Sequence, residues 1–379
     1  MTSPCLQWVQ QISEPRPGVR RGVLALCAAL LWSAQAFSAT AVRGIDPLLE
    51  PAPNANLSLP ATLLGVAQAG DTLVGVGLHG LIQRSSDGGK RWQQVPSPVS
   101  SDLVQVRFSD ARNGWIVGHD SLLLHSDDGG ASWKVQLDGR SLLALLRHSY
   151  GERAGKGDTT AQDLLAELDL AMTTSATPDV LAAPFLDVLF DANGTGFVVG
   201  AFGMILRSSD FGASWEPWVE RSDNGRSMHL YGLAEHGGIF YVSGEQGLLM
   251  RLDTAAQRFV QVQTPYNGTY FGVRAMDGLL LAYGLRGNLF ASRDDGQTWK
   301  KVETGLNSSL VSTVEQGGRL IVISQSGEMV SLDRHSLAVI RLQTERGADV
   351  YGASTTGNAS EVLVAGFAGV KVIQIARAD

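Results

Sequence analysis

Ser208-Ser209-Asp210-Phe211-Gly212-Ala213-Ser214-Trp215 places a carboxylate between two hydroxyls, with an indole behind it. An acid next to a serine is raw material for acid–base or nucleophilic chemistry. The stretch is not unique, however. Ser85 to Trp92, Ser126 to Trp133 and Ser292 to Trp299 repeat its spacing, so Asp87, Asp128 and Asp294 stand where Asp210 stands, and Trp92, Trp133 and Trp299 where Trp215 stands. A catalytic acid is needed once, close to other catalytic groups. A fourfold copy suits a structural device: the Asp accepts backbone N–H bonds as in an Asx-turn, Gly supplies a positive φ, and the indole packs over the turn.

Other chemistry is thinly represented. Glu245, Arg286, Asp120, Tyr231 and Tyr270 are the groups a sialidase-like glycoside hydrolase would use near one mouth, since it needs paired carboxylates or a tyrosine with an acid, plus arginine for a carboxylated sugar. No spacing selects them, and the Phe/Tyr-Arg-Ile-Pro signature of sialidases is missing. Such a hydrolase is the alternative function. His79, His119 and His125 are scattered, without metal-site spacing. There is no G-x-S-x-G elbow and no phosphate loop. No catalytic residue, metal, cofactor or small-molecule substrate is expected. The net charge of −7 argues against a nucleic-acid partner.

The elements that position these residues follow from a second repeat. Four-residue turns, mostly Gly-x-x-Gly, end at Gly80, Ser121, Gly203, Gly247, Gly287, Gly327 and Gly369. Their spacing is about 40 residues, with one double step. Before each turn lies an apolar strand interrupted by a small or polar residue, as in Leu63-Leu64-Gly65-Val66 or Tyr270-Phe271-Gly272-Val273. Each unit then reads strand A, strand B, turn, strand C, Asp motif, and strand D from the tryptophan. Seven such units predict an all-β, seven-bladed propeller of four-stranded blades over 42–376. The small residues in strand A fit the crowding of blades near the axis. The last unit lacks strand D, and 42–50 is expected to supply it and close the ring. The 44 glycines in 379 residues fit the many turns.

The double step is one period plus an insertion over 139–184, between blades 2 and 3. Ala161, Leu164, Leu165, Leu168, Ala171 and Met172 share one helical stripe, with Asp158 or Thr159 as cap. Ser141 to His148 is also helix-like. The insertion either packs on the propeller wall or serves as a docking arm.

Residues 1–41 read as a signal peptide and cleavage region. Arg16, Arg20 and Arg21 precede the apolar run Val23 to Trp32, and small residues follow. Cys5 and Cys27 both fall there, so the exported body contains no cysteine and no disulfide. The expected location is the periplasm.

In an up-and-down blade, the B–C turns and D–A connections share one face, and the Asp motifs lie on the other. The insertion therefore joins the Gly-x-x-Gly face. His79, His119, Asp120, Phe202, Glu245, Arg286, Gln325 and Phe367 ring its mouth and form the predicted partner-binding set.

The Ser-x-Asp-x-Gly-x-Thr-Trp pattern resembles the Asp box, or bacterial neuraminidase repeat. Seven units, Gly-x-x-Gly turns, Asp boxes and an export signal together resemble the photosystem II assembly and stability factor family of seven-bladed propellers. The resemblance runs over roughly 42–375 and extends to the family's non-photosynthetic bacterial branch. It implies a non-enzymatic factor that binds a membrane-protein complex as an assembly, stability or accessory factor. In bacteria without photosynthesis it further implies an accessory to envelope systems such as resistance-nodulation-division transporters. The chain departs from the family in its insertion and in its lipoprotein box, Leu24-Ala25-Leu26-Cys27, where bulky Leu26 stands in place of a small residue.

Overall fold

The computed structural model describes residues 46–56, 60–343 and 349–377. The signal-peptide region and residues 42–45 lie outside the described residues. Seven antiparallel sheets follow one another along the chain. Their A strands are Leu63–Ala69, Leu103–Phe108, Phe185–Phe190, Leu230–His236, Tyr270–Met276, Leu310–Gln316 and Val350–Thr355. Each pairs with its B strand, which is buried along nearly its whole length because both of its faces meet a neighbouring blade. Near-continuous runs such as Gly-Phe-Val-Val-Gly answer to that two-sided burial.

The ring closes where blade 7 meets blade 1. Thr355 Oγ1 donates to Gln68 Oε1 at 2.9 Å, and Leu63, Val66, Leu73, Leu363 and Ala365 share one core cluster. The small residues of strand A are explained by close approach. A Cβ on Gly65 would lie 3.0 Å from Gln105 Cα of the next blade, and one on Gly352 would lie 2.9 Å from the Leu64 carbonyl oxygen.

Five blades have four strands; the last two depart from the expected pattern. In blade 7, Val350–Thr355, Glu361–Gly366 and Gly369–Gln374 are the strands that pair among the described residues. Of the expected 42–50 strand, the described residues Asp46–Glu50 make a turn whose Pro47 carbonyl accepts the Ser100 N–H at 2.8 Å, and Leu48 is buried with blades 1 and 2. At the other end, Ala376–Arg377 add a fifth strand to blade 6, beside Val339–Gln343. Ile375 is buried first, and that anchor directs the end of the chain away from its own blade.

The insertion is a helical hairpin, α1 (Gly139–Gly155) and α2 (Thr159–Thr174). Asp138 caps α1 and Asp158 caps α2, accepting the Ala161 N–H at 3.0 Å. Leu142, Leu146, Tyr150 and Ala161 are buried in one cluster with Leu137 and Trp215, and Leu164, Leu165 and Leu168 pack against it. Ala171 is exposed, although the stripe placed it inward. Arg153 ties the hairpin to Glu220 of the following segment. The hairpin therefore packs on the outer wall of blades 2 and 3.

Candidate functional site

The B–C turns of blades 1, 3, 4 and 5 are built alike, and their glycines have a steric cause. A Cβ on the first glycine would meet the carbonyl just before strand A of the same blade: Gly77 against Thr62 at 2.2 Å, Gly284 against Thr269 at 2.2 Å. A Cβ on the last would strike the connection arriving from strand D: Gly80 against Val99 O at 2.1 Å, Gly287 against Leu306 O at 1.9 Å. In blade 2 Ser121 takes that last place. Its hydroxyl bonds the Leu181 and Ala183 carbonyls at 2.7 and 2.8 Å, which fastens the returning insertion to the face.

The third turn position carries the unusual backbone. His79, Phe202, Gln246 and Arg286 all sit at φ between 53° and 57°, with exposed side chains. That region favours glycine, and a bulky ring there is rare. Neighbouring connections hold two of these tips in equivalent ways. The His79 N–H donates to Asp102 Oδ1 at 2.7 Å, and the Phe202 N–H to His229 Nδ1 at 2.9 Å. The Phe202 ring is 65% exposed, as is that of Phe367 in blade 7.

The remaining predicted residues divide. His119 and Gln325 are exposed on the same face, and Asp120 is half-buried, accepting the Ser101 hydroxyl at 2.7 Å. Glu245 accepts the His229 N–H at 2.9 Å. Burial first, then the Glu245 charge beside it, pushes the Tyr231 hydroxyl above its ordinary value. Tyr270 starts its strand at the Gly-x-x-Gly end, but its ring is fully buried against Tyr266 and Phe290 and does not reach the mouth where it was expected. The structure brings Tyr231 and Glu245 together but leaves Tyr270 in the core, so the five residues do not form one hydrolase set.

Below the mouth, the central channel encloses about 530 Å³ and is lined by charged groups the sequence reading did not single out as functional. Arg107 makes a two-pronged bond to Asp187, at 2.9 and 2.7 Å, and Asp187 also accepts the Leu233 N–H at 2.8 Å. That carboxylate links blades 2, 3 and 4. Glu315 bridges Arg274 at 3.6 Å and Arg334 at 3.2 Å. Among the described residues no group of three potential metal ligands is found.

The opposite face carries the Asp boxes. Asp210 accepts the Ser214 N–H at 2.9 Å and the Ser214 hydroxyl at 2.6 Å, while Ser208 Oγ accepts the Gly212 N–H at 2.8 Å. Asp128 and Asp294 repeat this with Ser132 and Thr298. In the first box Arg91 replaces the hydroxyl residue and donates from Nε to Asp87 at 2.8 Å. Trp92 and Trp299 close their turns by donating to Gly89 and Gly296. Trp133 and Trp215 are buried beneath theirs. Every bond of the acid is spent within its own turn.

The family model described as photosynthesis system II assembly factor YCF48 matches residues 54–142 and 177–331. The chain belongs to that family. The gap between the matched stretches contains most of the helical hairpin, so the hairpin is this chain's departure from the YCF48 pattern. The photosystem II assembly lipoprotein Ycf48 of Synechococcus sp. (strain CC9902) is 26% identical over 249 residues, 61% of this chain and 72% of that protein. The Ycf48 of Synechococcus sp. (strain JA-3-3Ab) is 31% identical over 137 residues, 34% of this chain and 40% of that protein. Among solved structures, YCF48 from Cyanidioschyzon merolae aligns with a TM-score of 0.59 at 13% identity, covering 86% of this chain and 98% of its own. YCF48 bound to D1 peptide aligns at 0.58 and 15% identity, covering 88% and 99%. Those likenesses show the propeller fold. The relatives are named assembly and stability factors, and this chain is a non-enzymatic member of their family.

Proposed function

We propose that the chain is an exported docking scaffold that binds a segment of a membrane protein and so assists the assembly or stability of an envelope complex. Phe202 carries this reading. A ring 65% exposed, on backbone that favours glycine, costs stability and contributes little packing. Residues kept in that state serve function more often than fold. Phe367 repeats the exposure on blade 7, and His79, His119, Asp120, Glu245 and Arg286 complete the polar rim.

The class of partner comes from the family. One YCF48 structure is described as bound to a D1 peptide, and a propeller of the same fold is suited to hold an extended segment across its mouth. The relatives' names speak of photosystem II and not of a transporter, so the proposal names the kind of client and not the complex. Export to the periplasm is supported by Arg16, Arg20 and Arg21 ahead of the apolar run, and by lipoprotein names among the relatives. Among the described residues no helix is long and apolar enough to cross a membrane.

The test is affinity capture from solubilised membranes with wild type, with Phe202→Ser/Phe367→Ser, and with Asp210→Ala. The first and third should recover the same membrane protein, and the second should not. Equal recovery by all three would remove the Gly-x-x-Gly face as the site.

A further inference from the structure

Strand A carries the same irregularity in all seven blades. Its second residue is a β-bulge, skipped in the pairing with strand B. The bulged residues are Leu64, Val104, Leu186, Tyr231, Phe271, Val311 and Tyr351, every one apolar or aromatic and every one half-buried. The next residue is Gly, Gln, Asp, Gly, Gly, Ser and Gly in turn. Bulges re-aim side chains and gather at barrel rims and beside sites. These bulges lie at the Gly-x-x-Gly end, since Leu63 pairs with Gly77 and Tyr270 with Gly284 at the start of the turns.

The bulges also touch around the axis. The space beside Gly65 is bounded by Val104 O, that beside Gly232 by Phe271 O, and that beside Gly352 by Leu64 O. Over blades 4 and 5 the ring is aromatic and continues outward to the blade 3 turn. Phe271 stands edge-on to Tyr231 at 5.5 Å, Tyr231 to His229 at 6.5 Å, and His229 to Phe202 at 5.0 Å. Tyr231, Phe271 and Val311 of the ring line the central cavity, which is otherwise charged through Arg107, Asp187, Glu235, Arg274 and Glu315. An apolar ring in an otherwise charged cavity is not required by blade packing, which already buries Leu63, Leu103 and Leu230 one residue earlier.

We infer that these seven bulges form an apolar collar that receives one apolar or aromatic side chain from an extended segment of the protein partner, with Phe202 and Phe367 flanking that segment. The inference rests on the docking face proposed above. A lipid surface fits poorly: the rim mixes Arg286, Glu245, Asp102 and neutral amides, and the chain's net charge of −7 opposes an anionic leaflet. A peptide uses the same mixture, because Gln246 and Gln325 can satisfy its backbone while the collar takes its side chain.

The probe is an array of peptides tiled over the extracytoplasmic loops and tails of the membrane proteins encoded beside this gene, followed by titration of the tightest binder against the full chain. Replacing one apolar residue of that peptide by Ser should abolish binding. Phe271→Ser should weaken it roughly tenfold or more, as expected for losing one buried aromatic contact. Phe271→Leu should retain it, and Val311→Thr, which keeps the shape but adds a hydroxyl beside the core of blades 6 and 7, should weaken it by more than its small loss of melting temperature explains. If Phe202→Ser abolishes binding but Phe271→Ser and Val311→Thr leave it intact, the docking face stands and the collar is wrong. An array with no bound peptide contradicts both. Binding to phosphatidylglycerol vesicles that the peptide does not displace overturns the choice of occupant.

Discussion

His229 receives the Phe202 backbone N–H on Nδ1 at 2.9 Å and stands edge-on to the Phe202 ring, with centroids 5.0 Å apart at 89°. One imidazole therefore holds both the strained backbone and the exposed ring of the same tip. It also connects that tip to Tyr231 at the channel mouth. With Nδ1 accepting, the ring proton of the neutral imidazole is on Nε2.

Phe202→Gly separates function from stability. Glycine adopts φ 57° freely, and the backbone bond to His229 survives the change. The melting temperature should stay level or rise, consistent with relief of about 1 kcal/mol of strain, while partner binding falls. A drop of several degrees would show instead that the ring is part of the core.

Asp210→Ala should do the reverse. It removes the acceptor for Ser208, Ser214 N–H and Ser214 Oγ, at a cost of about 1–2 kcal/mol. Urea melts would show this. Partner binding, being on the other face, should be unchanged.

Acid should reveal the boxes together. In Asp128, turn hydrogen bonds from Ser132, Ser126 and Ala131 outweigh burial and lower the carboxyl to about 2; in Asp294, the bonds from Thr298 and Ser292 do the same. Because the folded values are depressed, this stability is complete above the unfolded value near 4. It is lost as pH falls through the folded values near 2. Melting temperature against pH should decline over that window. Combined Asp128→Asn and Asp294→Asn should flatten the decline; an unaltered slope would assign acid lability elsewhere.

Gly352→Ala tests ring closure. Its Cβ would lie 2.9 Å from the Leu64 carbonyl, which is backbone and cannot rotate away. Destabilisation of about 1–3 kcal/mol is expected, as for overpacking, measured by chemical denaturation. Gly357→Ala, with open space around its Cβ, is the control and should be neutral.

Much of this was legible in the sequence because it repeats. Seven turns at a period of about 40 residues, and Asp boxes in the same place after four of the seven C strands, define blades without any long-range information. Gly65, Gly232 and Gly352 reported the crowding at the axis for the same reason. The ends were not legible: nothing in Asp46–Glu50 distinguishes a strand from a turn that buries Leu48, and Ala376–Arg377 pair with blade 6 because of where Ile375 anchors. Tyr270 was misplaced because strand A alternates its faces, and a one-residue step separates the buried Tyr270 from the half-buried Phe271. The collar went unseen because a bulge is a property of pairing between strands, which a strand's own residues do not display.

A photo-crosslinking amino acid at 202, 367 or 211 tests the central claim most directly, since Phe202 and Phe367 lie on the Gly-x-x-Gly face and the exposed Phe211 on the Asp-box face. Irradiation in intact cells should join one and the same membrane polypeptide to positions 202 and 367, and none to 211. Crosslinking of a membrane polypeptide from 211 alone would contradict the account.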